Sequence, residues 1–370
     1  MMAKQSIKFI VVFLLVLVSF KSFADGGSSH HEKGNVIDTP QEIKDHIKHH
    51  LKDSHDFHLF SDNAAGKHYG FSLPVIVWTS KGLKTFMSSA FHHDDAGHVV
   101  VDKGDVKLTK IHSKIYELNA GATAVTFDDK HHATNAHKVL DFSITKSVVG
   151  MLLAGVLMFL GFVTLAKGYK KGPIPTGIGR LLEPLVIYVR DDIARPNIGE
   201  KKYRKFMGFL LTVFFFIWIL NLLGLTPLGF NVTGQIAVTA CLAIFTVVIY
   251  LFSGSKDFWA HTLWMPGVPV ILRPVLAVIE LVGFLLIKPF SLLVRLFANM
   301  TAGHFVVMSL IALTITLKES FGAVGSTGMS LVLALFISVI EVLVAFLQAF
   351  IFTMLSSLFI GMAVEEHDHH

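Results

Sequence analysis

One cysteine in 370 residues, Cys241, excludes an intramolecular disulfide. Charge is scarce as well: Asp, Glu, Lys and Arg make up 16% of the chain, where a soluble domain carries about a quarter. There is no G-x-x-x-x-G-K-[ST] phosphate loop, no H-E-x-x-H and no G-x-S-x-G. Nucleotide binding and bond hydrolysis by those routes are therefore excluded, and no cofactor is expected. The formal charge of +5 is modest and concentrated in one loop, so it reports topology and no nucleic-acid partner.

What is present is oil, unevenly placed. Hydrophobic residues make up 52% of the chain, with 32 phenylalanines. Residues 25–146 are polar and hold 15 of the 20 histidines, whereas long apolar runs dominate from Val148 onward. The pattern predicts a membrane protein with a polar N-terminal extension. Residues 1–24 read as a signal peptide: Lys4 and Lys8 precede an apolar run from Phe9 to Phe20, too short to span, and Ser22-Phe23-Ala24 offers a cleavage site. Residues 25–146 then form an extracytoplasmic His-rich domain, 147–366 a membrane domain and 367–370 a cytoplasmic tail.

The exported segment contains β-like runs, Leu73 to Trp78 and Val99 to Val101, with Asp102-Lys103-Gly104-Asp105 as a turn. A small β-rich domain follows. Its paired histidines (His30-His31, His49-His50, His92-His93, His131-His132) are irregularly spaced, so they favour a hydrophilic surface over a zinc or copper site, and no metal ligand is assigned.

Five membrane helices are expected. The first runs from Val148 to Ala166, and the loop from Lys167 to Lys205 holds ten Lys/Arg against four acids, which makes it cytoplasmic. Within it, Leu181 to Ala194 is amphipathic and is expected on the membrane surface. Phe206 to Leu225 and Gln235 to Phe252 follow as spans. Two longer stretches remain, Pro274 to Leu317 (44 residues) and Met329 to Val364 (36 residues). As continuous helices they reach roughly 66 and 54 Å, well beyond a hydrocarbon core of about 30 Å. They are expected to run strongly tilted, the first kinked at Pro289.

These two stretches hold Glu280, Lys288, Arg295, His304 and Glu341, with Asn299 and Gln348 as polar companions. An arginine at a bilayer centre costs about 2.5 to 3.5 kcal/mol on insertion scales, so such a group meets an anion, a water-filled cavity or a partner. Arg295 and Asn299 share a helical face, His304 is turned about 180° away, and Glu341 and Gln348 are nearly aligned. A Glu341–His304 pair suits proton relay, since histidine titrates near neutrality and a buried carboxyl is pushed toward it. Lys288 and Arg273 are expected to snorkel to the interface.

At this point Lys288-Pro289-Phe290-Ser291, the run Val294-Arg295-Leu296-Phe297-Ala298-Asn299-Met300-Thr301-Ala302-Gly303-His304 and Leu347-Gln348-Ala349-Phe350-Ile351-Phe352 resemble subunit a of the F-type ATP synthase. Arg190 to Gly199 and Asn221 to Pro227 support the likeness, which covers about residues 148–366. The resemblance implies two near-horizontal helices against a rotating ring of c subunits, with b-type peripheral-stalk and other synthase subunits, and membrane lipid, as further partners. It implies a non-catalytic, proton-translocating stator in a bacterial inner membrane. Arg295 would face the ring carboxylate, Asn299 and Gln348 would neighbour it, Asn221, His304 and Glu341 would line the outer half-channel, and Glu280 the inner one. Many members carry Glu at the position of His304 and His at that of Glu341; here the two are exchanged. Glu280 stands fifteen residues before Arg295, one more than the family spacing. The rival reading is a zinc transporter whose exterior histidines gather metal; it leaves Arg295, which repels cations, without a purpose.

Overall fold

The computed structural model describes residues 53–365 apart from 63–66, 93, 120, 129–132, 173, 176, 227–229 and 265–267. The expected signal peptide, the 367–370 tail and the histidines at 30, 31, 49, 50, 93, 131 and 132 lie outside the described residues. The chain divides into two units, one of residues 1–150 with 226–230 and one of 151–225 with 231–370.

The first unit is built from short antiparallel sheets. β1 (Asp56–Asp62) pairs with β2 (Lys67–Ser72). β3 (Pro74–Thr79) lies between β4 (Gly82–Met87) and β9 (Leu140–Asp141). β5 (Ala96–Asp102), β6 (Lys107–Ile111), β7 (Lys114–Leu118) and β8 (Ala136–Lys138) make a four-stranded sheet in sequence order. The β5–β6 turn falls where the sequence places it. Gly104 takes φ +80°, open to glycine without a Cβ clash, and its N–H donates to Asp102 Oδ1. Alternation drives Val75, Val77, Leu108 and Ile115 into one core around Phe91. Two buried polar side chains are paired: Lys110 with Asp56 at 3.0 Å, and His55 with Asp141 at 2.8 Å.

The second unit is helical. α1 (Lys146–Lys171) enters from the first unit, and α4 (Tyr203–Gly224) and α5 (Ile236–Ser253) are single spans. Between α1 and α4, α2 (Gly179–Tyr188) runs through a π turn (Val189–Ala194) into α3 (Arg195–Ile198). This segment does more than rest on a membrane surface, as the amphipathic pattern alone suggested. Val189, Ile193, Ala194 and Ile198 are buried in the helical core. The Ile193 carbonyl accepts from both Ser357 Oγ and Asn197 Nδ2. A Cβ on Gly361 would meet the Asn197 carbonyl at 1.9 Å, so the two backbones touch there. A short helix follows α5: α6 (Lys256–Leu263) is capped by Ser255 Oγ accepting from the Phe258 N–H.

Two long helical stretches complete the unit. The first comprises α7 (Arg273–Val282), a π turn (Gly283–Ile287) and α8 (Lys288–Thr316). The expected kink at Pro289 thus becomes a wide turn just before it. Proline cannot bond the carbonyl four residues back and its ring crowds that carbonyl, here Leu285; an extra residue in the turn relieves both. The freed Phe284 carbonyl accepts from the Tyr250 hydroxyl. The last helix, α9 (Lys318–Val364), begins eleven residues before the Met329 expected from hydropathy and is interrupted at Gly322, where φ is +70°. Its glycines and polar residues between Ser320 and Gly328 hid that start. The apolar spans within these stretches cover 38 and 41 residues, or about 57 and 62 Å at 1.5 Å per residue. Both exceed a bilayer core of about 30 Å, so they cross obliquely.

A polar constellation on the two long membrane helices

α8 packs against α9 and α5, and α9 against α4. Leu292 and Leu296, both buried, are the side chains through which α8 joins the core that includes Ala349 and Phe352 of α9. Arg295 sits between them in sequence and is half-buried, at the edge of the packed face. Asn299, one turn on, is exposed, as are Ser291, Ala298 and Ala302. By helical spacing Ser291, Ala298, Asn299 and Ala302 lie on the same side of α8 as Arg295. Among the described residues no acidic side chain pairs with it.

One face over, Glu341 of α9 meets α8 at Gly303. A Cβ there would lie 2.9 Å from Glu341 Oε1 and 3.5 Å from its carboxyl carbon. The carboxyl is thus lodged beside the residue preceding His304, and both Glu341 and His304 are half-buried. Gln348, two turns along α9, is buried. Asn221 is 2% exposed; its Nδ2 donates to the Ala345 carbonyl of α9 at 3.3 Å, and its Oδ1 accepts from Thr233 Oγ1 at 2.8 Å. Thr233 escaped the sequence reading because it lies in a Gly/Pro/Asn turn with no periodicity to mark its inward face. The structure brings Glu341 to the His304 turn and Asn221 onto α9. It places no hydrogen bond, among the described residues, from Arg295 to Asn299 or Gln348.

Glu280 is half-buried on α7 and lies within electrostatic reach of Lys288. The π turn between them inserts one residue relative to regular α-helix. Lys288, expected at the interface, is packed against aromatic rings. Its Nζ lies 3.3 Å from the Phe284 ring centroid and 5.2 Å from that of Phe359, so aromatic faces solvate the ammonium within the protein. Arg273 likewise stacks over Trp264 at 5.0 Å and donates to the Val268 carbonyl. Among the described residues no three His, Cys, Asp or Glu side chains gather as metal ligands.

A family model described as ATP synthase A chain matches residues 148–361, more than half of the chain and all of the constellation. The chain belongs to the ATP synthase A chain family. It is 45% identical over 237 residues to ATP synthase subunit a of Chloroherpeton thalassium, covering 62% of this chain and 69% of that one. To ATP synthase subunit a 2 of Prosthecochloris aestuarii it is 44% identical over 298 residues, covering 76% and 85%. Subunit a of Anaeromyxobacter sp. is 43% identical over 238 residues, with 62% and 56% covered. Residues 46–142 match a second model, described as a domain of unknown function (DUF8433). Among the described residues five helices, from α1 to α9, are long and apolar enough to cross a membrane, and the A chain match overlaps all five.

Proposed function

We propose that this chain is the proton-translocating stator of an F-type ATP synthase and that its working parts are Arg295, Asn299, His304, Glu341, Gln348, Glu280 and Asn221. The observation that carries the reading is a half-buried guanidinium on an apolar helix face, beside a strip of small residues, with no acid of the described chain paired to it. Such a charge needs an anion from elsewhere. A carboxylate on a passing ring of c subunits supplies it.

The chemistry then follows. Protons reach the ring through an outer half-channel past Asn221, His304 and Glu341. A protonated ring carboxyl is neutral and can travel through lipid without the cost of a buried charge. After nearly a full rotation it loses its proton into an inner half-channel near Glu280. Arg295 favours the ionised carboxyl and, because a guanidinium stays protonated, cannot relay protons between the half-channels. Each charge crossing is driven by about 2.3 kcal/mol per 100 mV. The chain itself breaks no bond; synthesis belongs to partner subunits. The b-type peripheral stalk is the proposed anchor that keeps it from turning with the ring. The basic loop of residues 167–205 and the C-terminus face the cytoplasm and residues 25–146 the periplasm, in keeping with the positive-inside rule.

Arg295→Ala in the assembled complex tests this: ATP synthesis driven by a proton gradient is lost while subunit composition is unchanged. Normal synthesis in that variant refutes the assignment.

A further inference from the structure

An asparagine buried in an apolar helix costs free energy unless both ends of its carboxamide are satisfied. Asn221 belongs to the helical unit and is 2% exposed, and each end meets a group of fixed kind. The Ala345 carbonyl of α9 can only accept, so the amide end must face it, and Nδ2 donates to it at 3.3 Å. That leaves Oδ1 toward Thr233, whose Oγ1 donates to it at 2.8 Å. Thr233 is fully buried and has little freedom. The Gln235 N–H donates to the Val232 carbonyl at 3.1 Å, closing a tight turn with Thr233 and Gly234 at its centre, and Val232 is itself fully buried. A Cβ on Gly234 would meet Asn231 Oδ1 at 2.0 Å, so the Asn231 side chain is folded onto that turn.

Ala345 ties this chain of bonds to α9 one turn beyond Glu341 and just short of Gln348, on the stripe those two residues share. We propose, on the reading that Asn221 belongs to the outer half-channel, that Thr233 is the positioning residue that fixes which end of the Asn221 carboxamide faces α9. Without the hydroxyl, Oδ1 loses its donor in a site closed to solvent, and the amide is free to turn. Turned over, Oδ1 faces the Ala345 carbonyl, two acceptors together, and the contact with α9 beside Glu341 is lost. The hydroxyl thus keeps the donor end of Asn221 on the stripe that carries Glu341 and Gln348. Thr233 itself handles no travelling proton; it acts through Asn221.

The test measures passive proton flux, driven by a potassium diffusion potential, in liposomes holding the chain with its c ring and without the soluble ATPase. Thr233→Val keeps the shape of the side chain and removes the hydroxyl; flux should fall several-fold, with chain and ring co-purifying in unchanged ratio. Thr233→Ser keeps the donor and should hold the rate near that of the parent. A Thr233→Val/Asn221→Leu double variant should be no slower than Asn221→Leu alone, because the hydroxyl has no purpose without the amide. Thr239→Val, which removes another fully buried hydroxyl, on α5, should leave flux unchanged. Equal losses in Thr239→Val and Thr233→Val, or additive losses in the double variant, make Thr233 merely structural and overturn the proposal. So does unchanged flux in Thr233→Val where Asn221→Leu is slow. Unchanged flux in Asn221→Leu instead removes Asn221 from the half-channel, and the proposal with it. Should Thr233→Val fail to assemble, Thr233→Cys takes its place: its thiol is a weak donor, so an intermediate rate is expected and the parent rate overturns the proposal.

Discussion

Arg295 and Glu341 are the side chains on which the proposed chemistry turns, and each has a distinct physical setting. Arg295 lies at an open edge, whereas Glu341 is wedged against Gly303, where even a methyl group would come within 2.9 Å of its Oε1. Glu341→Gln should slow passive proton flux through membranes holding the c ring but stripped of the soluble ATPase, with partial recovery when His304 is also changed. Gly303→Ala should slow it less, because the carboxyl end can swing aside. Unchanged flux in Glu341→Gln removes that residue from the path. At the other end of the chain, Asp141 shows a pH effect of known sign. Burial raises its pKa, but hydrogen bonds from His55 and Ser143 outweigh burial and hold it below the ordinary 3.8. A depressed carboxylate stabilises above its unfolded value and loses that contribution as pH falls through the folded one. The first unit should therefore lose stability on acidification below about pH 4. Asp141→Asn should flatten that limb in a melting-temperature series against pH.

At the scale of elements, two π turns interrupt the helices, one beside α3 and one before Pro289. Side chains donate to carbonyls in both: Ser357 of α9 and Asn197 of α3 donate to Ile193, and Tyr250 of α5 donates to Phe284. In a membrane such pairing is obligatory, because no water is available. Removing the Tyr250 hydroxyl leaves the Phe284 carbonyl without that donor, so Tyr250→Phe should cost roughly 1–3 kcal/mol. A lower melting temperature in detergent, with the fold's helicity retained, is the expected readout; an unchanged one shows the carbonyl finds another donor. These turns were invisible in the sequence. Hydropathy gives the length of a helical stretch but not its number of residues per turn.

For the whole molecule, the basic loop and the apolar spans make a topological prediction. Probes at Lys201→Cys and Lys114→Cys, in a Cys241→Ser background, should react from opposite sides of sealed membrane vesicles with a membrane-impermeant maleimide. Labelling from the same side contradicts the proposed orientation. The existence of the β-rich unit, the five apolar helices and the excessive length of two of them were legible, because composition and hydropathy are local properties. Glu341 and His304 were also legible as candidates, because ionisable groups in oil stand out. Thr233 and the aromatic seat of Lys288 were not, because each depends on a surface brought from elsewhere in the chain.

The sequence by itself determined which segments are too oily for water, which charges lie within them, and that two helices overshoot an upright crossing. Those follow from transfer free energies summed residue by residue. Only tertiary structure decided that Glu341 meets α8 at Gly303, that Asn221 bridges α9 to Thr233, and that a π turn separates Glu280 from Arg295. Those depend on how closely two backbones approach and on which neighbour satisfies a displaced carbonyl, quantities that arise between segments and within none of them.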